Sequence, residues 1–288
     1  MPGTTTENAM TITTLQTAPR VPTDLPILHF VHANSYPSAT YRQLFKHLGA
    51  HYAVQALPMH AHDPRYPVQN GWHHLMQELL DGLIARYDCP VILAGHSMGG
   101  MLALMVARAR PDLVRCVVLL DSPVVAGWRA VLLRWAKAAG AGRRIGPARF
   151  SARRRNVWPD AEAAFAHYAA KPLFSVWPEA VLRDYLAIGL VPHPQGVTLR
   201  FTRETETDVY STLPHHLGRL VEHFPVPVGF IGGERSVECR QAGLGATRRL
   251  VGRHFRLLPG GHLFPMESPA ATAAAVHHMV QGLTPAIA

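Results

Sequence analysis

The chain has 288 residues, 48% of them hydrophobic and 16% charged, with a net charge of +9. This balance fits one large globular domain carrying an insertion. With a mean hydropathy of +0.04, no uninterrupted apolar stretch reaches the roughly 20 residues of a membrane-crossing helix. The three cysteines, Cys89, Cys116 and Cys239, are too few and too scattered for a disulfide framework and fit a reducing cytoplasm. The basic excess is local. Nine Lys and Arg residues and a single acid, Asp160, fall between Gly127 and Asp160, while the other basic and acidic residues nearly cancel. No nucleic-acid motif or interleaved aromatic platform accompanies them. The segment therefore reads first as a solvated, Arg-rich face, with attraction of acidic lipid or an anionic substrate as the alternative.

Residues 1–24, rich in Thr and Pro, read as a tail or a short edge strand and lack the basic and apolar regions of a signal peptide. Leu25 to Ala33 reads as a buried strand, Tyr41 to Leu48 as a short helix and Tyr52 to Leu57 as a second strand. A loop rich in Pro and His follows. From Trp72 to Arg86 the apolar residues Leu75, Leu79 and Leu83 recur near a period of 3.6 and predict an amphipathic helix. The run Pro90-Val91-Ile92-Leu93-Ala94 predicts a buried strand, Gly100 to Ala107 a helix, and Arg115 to Leu120 another buried strand. Such alternation predicts a parallel sheet covered on both faces. After Pro123 the rhythm breaks into a helical, basic, Pro-interrupted segment that lasts to about Glu222. It resumes with a strand at Val226 to Gly232, a helix over Arg240 to Val251, a strand over Phe255 to Leu258 and a helix over Pro269 to Val280.

Between the third strand and its helix stands Gly95-His96-Ser97-Met98-Gly99. A serine at the tip of a sharp strand-to-helix turn, with small neighbours that let strand and helix approach, is built to expose its hydroxyl. A serine hydroxyl is a weak nucleophile without an adjacent base. His262 is the candidate base, in Gly260-Gly261-His262-Leu263-Phe264-Pro265-Met266-Glu267 after the last strand. His96 flanks the serine and reads as structural.

These motifs, in this order, resemble those of α/β-hydrolases with a helical cap, over about Pro26 to Gln281. The resemblance rests on four stations: His32-Ala33-Asn34, the Ser97 turn, Leu120-Asp121-Ser122-Pro123 and the His262 loop. It implies an α/β-hydrolase fold, with a mostly parallel central sheet flanked by helices. The core would comprise residues 25–123 and 223–288, and a helical cap, residues 124–222, would be inserted after the strand following the nucleophile helix. It also implies a catalytic set of Ser97, His262 and an acid. Many relatives carry that acid after the strand that follows the cap. Here Gly232-Gly233-Glu234-Arg235-Ser236 puts Ser236 at that place. Other relatives carry it where Asp121 stands, so Asp121 is expected to orient His262, with Glu234 as the fallback. By the same resemblance the backbone N–H groups of Met98 and Asn34 form the oxyanion hole. Ala33 stands where glycine is usual, and the Asn34 side chain could serve as a turn-forming group or touch the substrate.

The expected function is serine hydrolysis of carboxylic esters or thioesters through an acyl-enzyme. The alternatives are C–C bond hydrolysis, lactone opening or perhydrolysis by the same residues, or a weakly catalytic ligand receptor. The expected partner is a small ester with an apolar acyl part. Nucleic acid, cofactor and metal are not expected: His60-Ala61-His62-Asp63 lacks further ligands at set spacing and reads as solvated loop histidines. The helix around Trp128 to Lys137 is expected to pack on the core, and its alternative role is a lid that meets acyl chains or an anionic surface.

Overall fold

The computed structural model describes residues 24–144 and 146–284; the expected N-terminal tail or strand, Asp24 apart, lies outside them. The chain begins β1 (Ile27–Val31), α1 (Arg42–Leu48), β2 (Ala53–Ala56), α2 (His73–Arg86), β3 (Val91–His96), α3 (Met98–Ala109) and β4 (Val114–Leu120). A long intervening segment holds α4 (Trp128–Ala138), α5 (Gly146–Ser151), β5 (Val157–Trp158), α6 (Ala161–Ala169), α7 (Glu179–Gly189), β6 (Leu190–His193), β7 (Gly196–Leu199), α8 (Arg203–Ser211) and α9 (Leu217–Leu220). The chain then returns through β8 (Val228–Gly233), α10 (Val237–Ala242), α11 (Gly245–Val251), β9 (Phe255–Leu258), α12 (Phe264–Glu267) and α13 (Pro269–Leu283).

Six strands form one parallel sheet in the order β2-β1-β3-β4-β8-β9. The apolar runs are continuous because both faces are covered, and successive side chains serve opposite faces. Leu28, Phe30, Ile92, Ala94, Cys116, Val118 and Leu120 enter one core with α1 and α13. Val31, Val91, Leu93, Val117 and Leu119 enter the other with α2 and α3, where the periodic Leu75, Leu79 and Leu83 are buried. In register, His96 sits opposite Leu120, Leu120 opposite Ile231 and Gly233 opposite Leu258. The residues that follow β3, β4 and β8 therefore meet at the carboxyl edge of the sheet, the usual place for a site in such folds.

Three expectations about secondary structure and packing change. The intervening segment is not wholly helical: β5, β7 and β6 form a small antiparallel sheet. Pro192 and Pro194 interrupt helix there, and Gly196, at φ +124°, closes the β6–β7 hairpin in a conformation L side chains rarely adopt. The helix expected over Arg240 to Val251 is two helices, broken at Gly243. Finally, α4 does not pack its apolar residues on the core: none of its residues is buried.

Candidate active site

Ser97 occupies the turn between β3 and α3 with φ +53° and ψ −116°, outside the favoured regions for an L residue. Its neighbours hold it there. The Ser97 N–H donates to the Leu120 carbonyl at 2.9 Å, and the Ser122 hydroxyl donates to the Ser97 carbonyl at 2.7 Å. The turn is thus tied to the end of β4 on either side of Asp121. Close approach explains the glycines. A Cβ on Gly99 would stand 2.0 Å from the Val31 carbonyl oxygen, and one on Gly100 would stand 2.2 Å from Ser122 Oγ.

The three residues expected to act together lie in one hydrogen-bonded line. His262 Nε2 is 3.0 Å from Ser97 Oγ, and His262 Nδ1 is 2.6 Å from Asp121 Oδ2. Asp121 is wholly buried, which is unfavourable for a carboxylate unless donors surround it. They do. Ser236 Oγ donates to Oδ2 at 2.5 Å, the Gly233 N–H donates to Oδ1 at 2.7 Å, and Cys239 Sγ lies 3.3 Å from Oδ1. Burial works to raise the Asp121 pKa, but the bonds from His262, Ser236 and Gly233 and the charge of His262 hold it below the ordinary carboxylate value. Burial likewise works against protonated His262, yet the bond and charge of Asp121, with Glu238 beyond, keep its pKa above 6.5. Glu234 lies exposed beyond this line, its N–H bonded to the Leu258 carbonyl, and no bond joins its side chain to His262 among the described residues.

The departure at Ser236 acquires a role in this geometry. Where many relatives carry the acid, this chain carries a hydroxyl that donates to the acid on the neighbouring strand; Ser236 Oγ also accepts from the Cys239 N–H, capping α10. Three further contributors were not singled out from the sequence. Ser122 steadies the turn. Glu238 places Oε2 3.9 Å from His262 Nδ1. Glu267 accepts from the Gly261 N–H at 2.9 Å and fixes the histidine loop. A single Ser or Glu in or beside a recognised motif carries no pattern of its own; only the fold shows what it reaches. Asp121, Glu238 and His262 offer ligand atoms within 4.8 Å of one another, a composition that could hold a cation. Both Asp121 oxygens are already engaged by donors.

Met98 opens α3, where the first amides have no intrahelical acceptor. The facing loop is braced by a chain of bonds. The Ala33 N–H donates to Tyr41 Oη at 3.2 Å, Tyr41 Oη lies 2.7 Å from His96 Nδ1, and His96 Nε2 lies 2.9 Å from the His262 carbonyl. A carbonyl can only accept, so Nε2 carries the proton of neutral His96 and Tyr41 donates to Nδ1. Burial, then the nearby His262 charge, pushes the His96 pKa down to about 3, so the ring is neutral. The residue before the serine is structural, as expected, and it joins the Ala33 loop, the serine turn and the histidine loop. The Asn34 side chain donates to the Glu206 carbonyl on α8 at 3.1 Å. His60 is not solvated: it is fully buried, its N–H donates to His32 Nε2 at 2.7 Å, and its ring lies 3.2 Å from Glu78. It is an internal brace for the same loop.

Over that loop the intervening segment lays an aromatic and charged layer. Tyr36 packs on Trp177 and Tyr185, with ring centroids 5.9 and 5.6 Å apart. Arg154 pairs with Glu206 at 2.5 Å and reaches Ser35 Oγ at 3.3 Å. Burial opposes the Arg154 charge, while its neighbours Tyr185 and Glu206 favour it; the net shift is upward.

Comparison with known proteins agrees with this architecture. Residues 30–275 match the model of the Alpha/beta hydrolase family. The sn-1-specific diacylglycerol lipase ABHD11 of Mus musculus is 28% identical over 243 residues, which cover 78% of this chain and 71% of that protein. Among solved structures, E-2-(acetamidomethylene)succinate hydrolase matches with a TM-score of 0.73 at 22% identity, over 89% of this chain and 91% of that one. Lpx1, a peroxisomal α/β-hydrolase of Saccharomyces cerevisiae, matches with a TM-score of 0.70 at 18% identity, over 92% and 79%. The structural likenesses speak for the fold, and the family match, spanning most of the sequence, places this chain in the Alpha/beta hydrolase family.

Proposed function

We propose that this hydrolase cleaves carboxylic esters through an acyl-enzyme on Ser97. The observation that carries the reading is the line from Ser97 Oγ through His262 Nε2 and Nδ1 to Asp121, at 3.0 and 2.6 Å. In this mechanism His262 Nε2 takes the hydroxyl proton as Ser97 Oγ bonds to the ester carbonyl carbon. Asp121 holds the ring in the required tautomer and stabilises the imidazolium. Negative charge develops on the carbonyl oxygen, which faces the Met98 and Asn34 amides. Collapse of the tetrahedral intermediate expels the alcohol, which takes the proton from Nε2. A water activated by the same nitrogen then attacks the acyl group, releasing the acid and free Ser97.

The layer of Tyr36, Trp177 and Tyr185 over the loop supports a substrate with an apolar acyl part. The lipase activity named for the mouse relative is in keeping with an ester bond. The test pairs a fluorophosphonate probe with a panel of p-nitrophenyl esters. Labelling of the wild type, its loss in Ser97→Ala and a fall of about 10⁶-fold in kcat are expected, the scale on which a triad serine acts elsewhere. Ester turnover unchanged by Ser97→Ala, or no labelling of folded protein, refutes the reading.

A further inference from the structure

The helix α4 turns its apolar face to solvent. Trp128, Val131, Leu132 and Trp135 are 67, 48, 60 and 64% exposed. Their spacing of i, i+3, i+4 and i+7 gathers them into an arc about 100° wide on a helix of 3.6 residues per turn. Lys137 stands nearly opposite that arc. Its ammonium bonds Asn70 Oδ1 at 2.7 Å, His215 Nδ1 at 3.0 Å and the Leu213 carbonyl. The one cation on the back of the helix thus anchors it to the body of the protein, and the tryptophans are held outward. An apolar stripe this regular, on a helix with no fully buried residue, is unusual for a free surface.

The flanks say what meets it. Arg129 and Arg134 border the stripe on its two sides, and the Arg129 guanidinium lies 4.6 Å from the Trp128 ring centroid. Farther along, Arg144, Arg149 and Arg153 are exposed and, like Arg134, have no ion-pair partner among the described residues. The whole stretch from Gly127 to Asp160 contains one acid. Tryptophan at the edge of a cationic, amphipathic helix suits the headgroup region of a bilayer, where apolar rings reach the acyl boundary and arginines meet phosphates. The helix begins seven residues after Asp121, on the carboxyl edge of the sheet that carries Ser97.

We propose that α4 and the arginines after it dock this protein on a membrane surface rich in anionic lipid. The contact is interfacial: no helix among the described residues is long and apolar enough to cross a membrane. It goes beyond the ester reading and does not depend on Ser97, since a Ser97→Ala protein keeps the same face.

The test is co-sedimentation of the full chain with large vesicles of phosphatidylcholine alone or with 30% phosphatidylglycerol. Binding to the anionic vesicles, weakened by salt, is expected. Trp128→Glu with Trp135→Glu lowers the partition at least tenfold. Arg134→Gln, Arg144→Gln, Arg149→Gln and Arg153→Gln together lower it further, about fivefold for each charge that faces the lipid. Because these side chains are exposed, the variants keep their melting temperature and their turnover of a soluble ester. Absence of binding to anionic vesicles overturns the proposal, as does equal binding by the double Glu variant. A concentration-dependent dimer in sedimentation velocity that the double Glu variant abolishes, or binding to duplex DNA in place of vesicles, assigns the face to another partner and also overturns it.

Discussion

Asp121→Asn isolates the geometry of the proposed relay. The carboxylate accepts on both oxygens: His262 Nδ1 and Ser236 Oγ meet Oδ2, while the Gly233 N–H and Cys239 Sγ meet Oδ1. An amide has one accepting oxygen. The Gly233 N–H is fixed in the backbone, so the oxygen stays on that side and the NH2 faces Ser236 and His262. Ser236 can rotate its hydroxyl and accept. His262 must then offer a lone pair at Nδ1, which moves its proton to Nε2 and aims a hydrogen at Ser97 where a base is needed. The same exchange in a serine protease triad lowers kcat by about 10⁴, or about 5 kcal/mol of barrier. Stability changes by only about 1–2 kcal/mol, since each donor finds a new arrangement. The assay is kcat/KM on p-nitrophenyl acetate and butyrate beside thermal melts. Glu234→Gln, at an exposed position, stays within about twofold, as surface changes do. A folded Asp121→Asn protein that keeps more than a tenth of wild-type activity, or a Glu234→Gln protein that falls as far, refutes the reasoning.

Four more expectations follow from the structure. The acid limb of kcat/KM should have its midpoint above pH 6.5, because His262 must be neutral to act as base and its pKa is raised; Glu238→Gln removes one of the charges that raise it and moves the limb to lower pH, while an unmoved limb would exclude Glu238 from the relay. The linked stability has a definite sign: this histidine is more basic folded than unfolded, so its contribution is full below pH 6.5 and is lost as pH rises through the folded pKa. Gly99→Ala should lose about 3 kcal/mol or the fold itself, because the new methyl meets backbone on β1. Gly245→Ala, whose Cβ would have no neighbour closer than 3.8 Å, changes stability by at most about 1 kcal/mol, and equal urea midpoints for the two variants would sink the packing argument. Arg154→Met leaves Glu206 buried without its partner and costs roughly 3 kcal/mol; adding Glu206→Gln recovers most of it, and a double variant no more stable than the single shows that the pair is not what matters.

The sheet was legible in the sequence because its strands are continuous apolar runs and its crossover helices keep one period. The serine turn was legible because its glycines are demanded by backbone approach, and the histidine loop because Gly260 takes a positive φ that favours glycine; both leave a pattern. The acid was legible only as a choice. Asp121 and Glu234 both follow strands, and the resemblance ranks Asp121 first; the fold brings Asp121, and not Glu234, within 2.6 Å of His262 Nδ1. The buried state of His60 was hidden for a similar reason. A histidine among prolines looks solvated until the partners from His32 and Glu78 are brought in from elsewhere in the chain. The small antiparallel sheet was missed because two-residue and four-residue strands are too short for a period to declare itself. The outward face of α4 defeats pattern reading altogether: an amphipathic helix has the same sequence whichever way it is turned, and only the anchor at Lys137 decides.

The position of Asp121 also bears on how the chain comes off the ribosome. The groups that accept its charge arrive late: the Gly233 N–H is 112 residues downstream and His262 is 141. A nascent chain that has reached only the intervening segment holds the serine and the acid but none of the donors that make burial of that carboxylate tolerable. The end of β4 must stay open to water until β8 and the turn carrying Ser236 have been synthesised. Completion of the serine's surroundings therefore waits for β8 and the loop carrying His262, and a product terminated before them lacks the partners of the proposed catalytic set.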